Sequence, residues 1–359
     1  MQFGLNEEQR MFRDAATGWL ADTMDDAALA RAAAYPWGFA RGLWGELATM
    51  GWLGAGFPEA LGGSDGGATE TAIMLEAAGG ALLTEPLIEA AVLAPHLLHA
   101  LTPEALPALL DGSRLVAPAW FEGDRCDPLA PQVRLAGERL TGTKTQVAAG
   151  HAAELLVTAT DASGAMVLAA LDPTAPGVTL TPARQVDGRV TATLHMADAP
   201  ARVLARGPQV ADAFTNAFDH AVSAACAEAL GIAAALFGRT LDYARTRTQF
   251  GRPIAGFQVI QHRLADLHIA LEEARSLSTM ACKALDNPPG PARAAILSSA
   301  KSGVLSRCLM IARESIHLHG GVGMTEEMPI GRGFRRLRAL SVLYGDESWH
   351  LARVCPGAA

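Results

Sequence analysis

Residues 341–350, SVLYGDESWH, set two adjacent carboxylates, Asp346 and Glu347, directly behind a Tyr-Gly pair. A carboxylate held near a substrate can take up a proton as a general base. The same pair also suits the opening of a last helix, where negative charge meets the positive end of the helix dipole. Upstream, His317-x-x-Gly320-Gly321-Val322-Gly323 leaves the backbone bare, which lets a nucleotide approach closely or simply ends a helix. Arg247, followed by Gln249 and Phe250, carries a guanidinium whose fork matches phosphate oxygens in a way lysine cannot copy. A helix-end arginine beside a core phenylalanine is the structural alternative.

These groups sit in the last of three blocks. Over residues 5–110 apolar residues recur at three-and-four spacing, with Asn6 placed to cap a first helix and Gly51 to stop a later one that carries Leu43, Trp44 and Leu47. Between about 114 and 205 the period becomes that of strands, as in the stretches over 133–140, 154–159, 165–171 and 189–195. From about 208 the helical period returns in long Ala- and Leu-rich runs over 212–246, 258–285 and 292–317, with a further helix after Gly331. The expected domains are therefore 1–113, all helical; 114–206, a small β-barrel or sandwich; and 207–359, a helical bundle.

Composition narrows the function classes. Half of the 359 residues are hydrophobic and 18% are charged, a globular balance, and a net charge of -8 offers no basic field for nucleic acid or an anionic membrane. The five cysteines, Cys126, Cys226, Cys282, Cys308 and Cys355, show no C-x-x-C or C-x-x-H spacing, so neither a zinc site nor a disulfide framework is expected. The N-terminus MQFGLNEEQRMFRDAA interrupts any signal-like apolar run with charge, and no unbroken apolar stretch reaches membrane-spanning length. A cytoplasmic protein is expected.

RTRTQFGRPIAGFQVIQHRLAD over 245–266 and IHLHGGVGMTEE over 316–327 closely resemble the C-terminal signature of acyl-CoA dehydrogenases. Trp44-x-x-Leu47-x-x-x-Gly51-Trp52 and Pro58-Glu59-x-x-Gly62-Gly63 extend the resemblance over nearly the whole chain. The resemblance implies that family's fold, an α-helical domain, a β domain and a C-terminal four-helix bundle. It implies an FAD enzyme that converts an acyl-CoA thioester to the 2,3-enoyl-CoA and passes electrons to an electron-transfer flavoprotein. By the same resemblance Arg247 and Gln249 reach the diphosphate of a neighbouring subunit's FAD, Phe250 packs on the cofactor, and His317, Gly320 and Gly321 contact it.

The base is where the chain departs from the pattern. The family's glutamate after the tyrosine aligns with Gly345, and the alternative helix position falls at Ala221, so both sites lack a carboxylate. Asp346 and Glu347, one and two residues on, are the remaining candidates, with His350 and Glu228 as further titratable groups. The flavin-lining loop and strand of the family correspond to 117–123 and 144–150, where hydroxyl donors and a tryptophan are missing; Trp120 either stacks on the ring or fills a core. Intact residues for a neighbour's FAD and eroded residues for its own imply the degenerate subunit of a heteromeric, steroid side-chain type dehydrogenase, α2β2. Two alternatives stay open: a homotetramer using Asp346 or Glu347 as base, and a flavin-free structural homologue.

Overall fold

The computed structural model describes residues 4–123, 127–325 and 328–355, so Cys126, Glu326 and Glu327 lie outside the described residues. Helix α1, Glu7–Thr23, opens at Asn6, whose side chain accepts from Gln9 N at 2.8 Å while the Gln9 side chain accepts from Asn6 N at 3.0 Å. This reciprocal cap satisfies two amides that a helix start leaves open. Helices α2, Asp26–Ala34, and α3, Arg41–Thr49, follow, and α3 stops where Gly51 takes a φ of 76°. Next come α4, Ala68–Gly80, a π-helical turn Leu87–Leu93, α5, Ala94–Leu101, and α6, Leu106–Leu110.

Eight strands come next: β1 Val116–Ala119, β2 Arg134–Ala136, β3 Arg139–Val147, β4 Glu154–Asp161, β5 Met166–Leu171, β6 Val178–Arg184, β7 Val190–Pro200 and β8 Arg202–Arg206. They form one sheet in the order β6-β7-β3-β2-β4-β5-β8, with β1 added to β4; β1 and β2 run parallel to β4 and the other pairs are antiparallel. The stretch expected as one strand over 133–140 is instead a hairpin. Gly137 adopts a φ of 62°, a conformation other residues resist, and Leu135 on β2 pairs with Leu140 on β3. Alternation along β3 and β7 sends Leu140, Val147, Leu194 and Met196 into a core shared with Leu155, Val157 and Val167.

The remaining elements are α7 Pro208–Thr246, a short hairpin of β9 Thr248–Gln249 and β10 Arg252–Pro253, α8 Gln258–Ala284, α9 Pro291–His319, α10 Pro329–Leu340 and α11 Glu347–Val354. Helix α10 begins two residues before Gly331 because Pro329 serves as its first residue, where a missing N–H is harmless. By length and composition α7 and a second helix over 291–323 are apolar enough to cross a membrane, yet the most apolar window of α7 is 78% buried within the fold. Its hydrophobicity is spent on packing.

The chain divides into two compact units. One comprises 31–67 and 84–221, with the sheet at its centre. The other comprises 1–30, 68–83 and 222–359, and holds α1, α4, most of α7 and the later helices. In this second unit α4 and α7 cross at glycines. A Cβ on Gly79 would stand 2.2 Å from Glu228 O, and one on Gly231 would stand 1.9 Å from Glu76 O, so the two backbones touch only because these residues lack side chains. Beside the crossing, Glu228 accepts two bonds from Arg336 at 2.7 and 2.9 Å in a buried pair. Gly231→Ala should therefore lower stability by about 1–3 kcal/mol, read as a lower denaturant midpoint at unchanged slope; an unchanged midpoint would contradict this crossing.

Candidate functional site

Arg247 follows the last residue of α7. Its N–H donates to Tyr243 O at 2.8 Å and its carbonyl accepts from Ile254 N at 2.9 Å, which ties the β9-β10 hairpin to the helix end. The hairpin turns on Phe250, φ 52°, and Gly251, φ 80°, the paired left-handed geometry of a tight two-residue turn. Glycine adopts this freely and phenylalanine does not. The Phe250 ring is nonetheless 93% exposed, and its ring contact within the chain is an edge-on one to Phe257 at 6.2 Å between centroids, so little packing offsets its placement. Arg247 and Gln249 are exposed as well, and among the described residues no carboxylate pairs with the Arg247 guanidinium.

The glycine run lies at the far end of α9. Gly320, φ 65°, caps the helix and donates to His317 O and Ile316 O. Gly323 is glycine for packing, since a Cβ there would meet His319 Cβ at 2.9 Å. Gly321 is different: its φ is ordinary and, among the described residues, nothing stands within 4 Å of a built Cβ. The fold does not require glycine at 321, and what glycine supplies is bare, exposed backbone for a group arriving from outside. His317 is exposed beside it, with Nδ1 3.6 Å from Glu314 Oε1. His319, by contrast, is buried, donates from Nδ1 to Ser315 O at 2.8 Å and stacks on Tyr243 at 4.4 Å. Among the described residues its Nε2 has no hydrogen-bond partner, an omission of about 1–3 kcal/mol.

The third feature is the turn between α10 and α11. The chain passes through Tyr344, φ 59°, and Gly345, φ 96°, before Asp346 caps α11 by accepting from Trp349 N at 2.8 Å. Lys301, 2% exposed, rises from α9 beneath this turn and donates to Leu343 O at 2.5 Å and to Gly345 O. Burial draws its ammonium down to about 8, while Cys226 and Asp346 pull the other way. His350 donates from Nε2 to Tyr344 O at 3.1 Å, which leaves Nδ1 to accept from the Ser298 hydroxyl at 3.0 Å. Burial, with the cations of Lys301 and Arg353, pushes its imidazole down to about 3, so it is neutral in the tautomer its partners demand.

Of the sequence-predicted base candidates, Asp346 is a helix cap and Glu347 opens the same helix. Both line a cavity of about 350 Å³ with Lys301, Ser302, Arg313 and Arg338. Glu228 is held by Arg336, and both nitrogens of His350 are engaged. Ala221 is buried in α7. At Gly345 a Cβ would stand 2.4 Å from Trp349 Cε3 and 3.0 Å from His350 Nε2, so the position is reserved for glycine by packing as well as by φ.

In the sheet-containing unit Trp120 is packed by Phe121, Phe218 and Phe214, with ring centroids at 5.4, 5.3 and 6.0 Å. The carbonyl of Trp120 accepts from buried Lys144 at 3.3 Å, and Lys144 also bonds Glu122 at 2.7 Å and Thr158 at 3.0 Å. Burial pushes the Glu122 carboxyl up, but the charge and hydrogen bond of Lys144 and the amides of Gln132 and Val133 outweigh it and leave it lowered. Trp120 is thus half-buried in an aromatic cluster. Cys226, Cys282 and Cys308 are buried, and burial pushes all three thiols up, Cys226 to about 12, which makes them inert.

Lys301, Tyr243 and His319 were not singled out by sequence reasoning. A signal existed for Lys301: it falls on the apolar face set by Leu297, Val304, Leu305 and Cys308, the one cation in that stripe.

Two outcomes follow from the turn. The unfolded His350 titrates near 6.5 and the folded one near 3, so between these values the unfolded chain binds more protons. The His350 contribution is therefore complete above 6.5 and is lost as pH falls, by up to about 1.4 kcal/mol per pH unit. Urea melts on either side of pH 6.5 should show this slope reduced in His350→Asn; equal slopes would refute the assignment. Gly345→Glu should cost about 1–3 kcal/mol through the clash with Trp349, whereas an unaltered denaturant midpoint would show that the turn accommodates a side chain.

Comparison with known proteins identifies the family. The acyl-CoA dehydrogenase N-terminal domain family matches residues 6–110 and the acyl-CoA dehydrogenase C-terminal domain family matches residues 211–356. The chain is 30% identical over 335 residues to acyl-CoA dehydrogenase IpdE2 of Mycobacterium tuberculosis, covering 92% of this chain and 91% of that protein. Among solved structures, the Tcur3481-Tcur3483 steroid ACAD G363A variant superposes with a TM-score of 0.88 at 30% identity, covering 97% and 96% of the two chains. The ChsE4-ChsE5 complex from Mycobacterium tuberculosis superposes with a TM-score of 0.88 at 26% identity, covering 99% and 98%. With both family domains in place and the motif residues displayed as described, the chain belongs to the acyl-CoA dehydrogenase family of oxidoreductases.

Proposed function

We propose that this chain is the partner subunit of a heteromeric acyl-CoA dehydrogenase, in which it completes an FAD site across the subunit interface while a homologous chain supplies the base. The observation that carries this reading is the contrast between Gly321, bare where the fold needs no glycine, and Gly345, glycine where the fold allows nothing else. Arg247, Gln249, Phe250, His317, Gly320 and Gly321 are all exposed, so they are available to a second chain rather than to this chain's interior. The exposed arginine and the open glycine backbone fit a diphosphate, which asks for forked cationic donors and close N–H groups.

Bound FAD supplies the acceptor for the substrate's β-hydride. Arg247 and Gln249 would hold the diphosphate and Phe250 would pack against the cofactor, excluding water there. The α-proton goes to a carboxylate on the other chain, because Gly345 and Ala221 cannot take it. The product class is a 2,3-enoyl-CoA, with electrons passing to an electron-transfer flavoprotein in the cytoplasm. The similarity to a steroid ACAD and to the ChsE4-ChsE5 complex supports a bulky acyl-CoA and an α2β2 assembly.

One observation favours a homotetramer instead: Asp346 and Glu347 line a cavity together with Lys301, which places carboxylates beside open space. The cap bond from Trp349 to Asp346 weighs against it.

The test is the FAD content of the purified chain. Alone it should carry little flavin; co-expressed with a homologous dehydrogenase subunit it should yield a yellow, active assembly. In that assembly Arg247→Lys should weaken FAD at least about tenfold. A chain that alone holds one FAD per subunit and turns over acyl-CoA would overturn the proposal.

A further inference from the structure

The two arms displayed to a neighbour, the β9-β10 hairpin and the Gly320–Gly321 turn, are far apart in sequence yet meet on one contact. Tyr243 lies one helical turn before Arg247, and its carbonyl receives the Arg247 N–H at 2.8 Å. The Tyr243 ring stacks on His319, the last residue of α9, at 4.4 Å and 24° between planes, and its hydroxyl donates to His319 O at 3.4 Å. His319 is only 3% exposed. Its Nδ1 is anchored to Ser315 O at 2.8 Å, and Gly323 folds back so closely that its missing Cβ would meet His319 Cβ at 2.9 Å. One stacked pair therefore touches the root of both arms.

We propose that Tyr243 and His319 are a positioning pair that sets the spacing between the Arg247–Gln249 hairpin and the Gly320–Gly321 turn, and so the affinity of the half-site for a dinucleotide diphosphate. The proposal rests on the FAD half-site reading above. Neither residue touches the ligand. The hairpin lies on one helix and the glycine turn on another, and a forked guanidinium binds phosphate well only when the opposing amides stand at a fixed separation. A flat ring pair fixes that separation better than flexible side chains, because each ring has only two side-chain torsions to lose. Burial pushes the His319 imidazole down, and among the described residues Nε2 has no hydrogen-bond partner, so the ring serves the stack rather than a polar contact at that nitrogen.

The experiment uses the assembly formed with the homologous subunit, stripped of flavin and titrated with FAD, in single and double variants. Removing the stack by His319→Ala, or by Tyr243→Leu should the first variant fail to fold, is expected to raise the FAD Kd about tenfold. In an Arg247→Ala background, where the guanidinium whose placement the stack would set is gone, the same change should alter Kd less than about twofold. His319→Phe, which keeps a ring in the stack, should restore wild-type affinity within about twofold. A merely structural role would lower the melting temperature and leave FAD affinity alone; that result, or an equal effect in both backgrounds, or failure of His319→Phe to rescue, overturns the positioning pair while the half-site reading stands. If Arg247→Ala by itself leaves Kd unchanged, the half-site reading falls and this proposal falls with it.

Discussion

A single buried ammonium organises the C-terminal end of the helical unit. Lys301 takes the carbonyls of Leu343 and Gly345, and His350 takes the carbonyl of Tyr344 between them. Three successive carbonyls that face the interior are thereby satisfied, which buried backbone requires. The capture holds Tyr344 and Gly345 in left-handed conformations, aims the chain into α11 and places Asp346 as its cap. Desolvation opposes a charged lysine at this depth, and the carbonyl bonds are what compensate. With that turn fixed, Trp349 and His350 occupy the space that any side chain at 345 would need.

On the partner-subunit proposal, this turn divides the chemistry between two chains. Around Gly345, where the family resemblance would put a carboxylate, stand Trp349 and a neutral His350, with Lys301 beneath and the cavity lined by Asp346 and Glu347 alongside. Where a cofactor would be gripped, the chain leaves a ring, a guanidinium and bare backbone in solvent. An exposed Phe250 at positive φ and an unforced Gly321 are both disfavoured or idle in the isolated subunit. Both would become useful once a second surface arrived, which is the physical content of the partner-subunit proposal. The buried Glu122–Lys144 pair and the Trp120 aromatic cluster stabilise the sheet-containing unit.

How much of this was legible in the sequence depended on the kind of interaction. Helices α1, α3, α7, α8 and α9 were visible because their apolar spacing and their caps are local properties, as with Asn6 and Gly51. The hairpin at Gly137 was read as one strand, since alternation continues across a tight turn and only the glycine's φ distinguishes the two. Motif residues such as Arg247 and Gly320 were legible as types at fixed spacing. The Lys301 network and the Tyr243–His319 stack were not, because each joins residues forty or more positions apart and neither leaves a periodic trace. The engagement of Asp346 as a cap was foreseen as the structural alternative to a base, and the cavity beside it was not.

The central claim, that this chain lends cofactor contacts and leaves proton abstraction to another, is most directly tested by the turnover of the assembled enzyme carrying Asp346→Asn and Glu347→Gln. Asparagine keeps the α11 cap, so the fold is preserved while both carboxylates are removed. The account predicts turnover within about twofold of the unmodified assembly; a fall of about a hundredfold or more would place the base on this chain and contradict it.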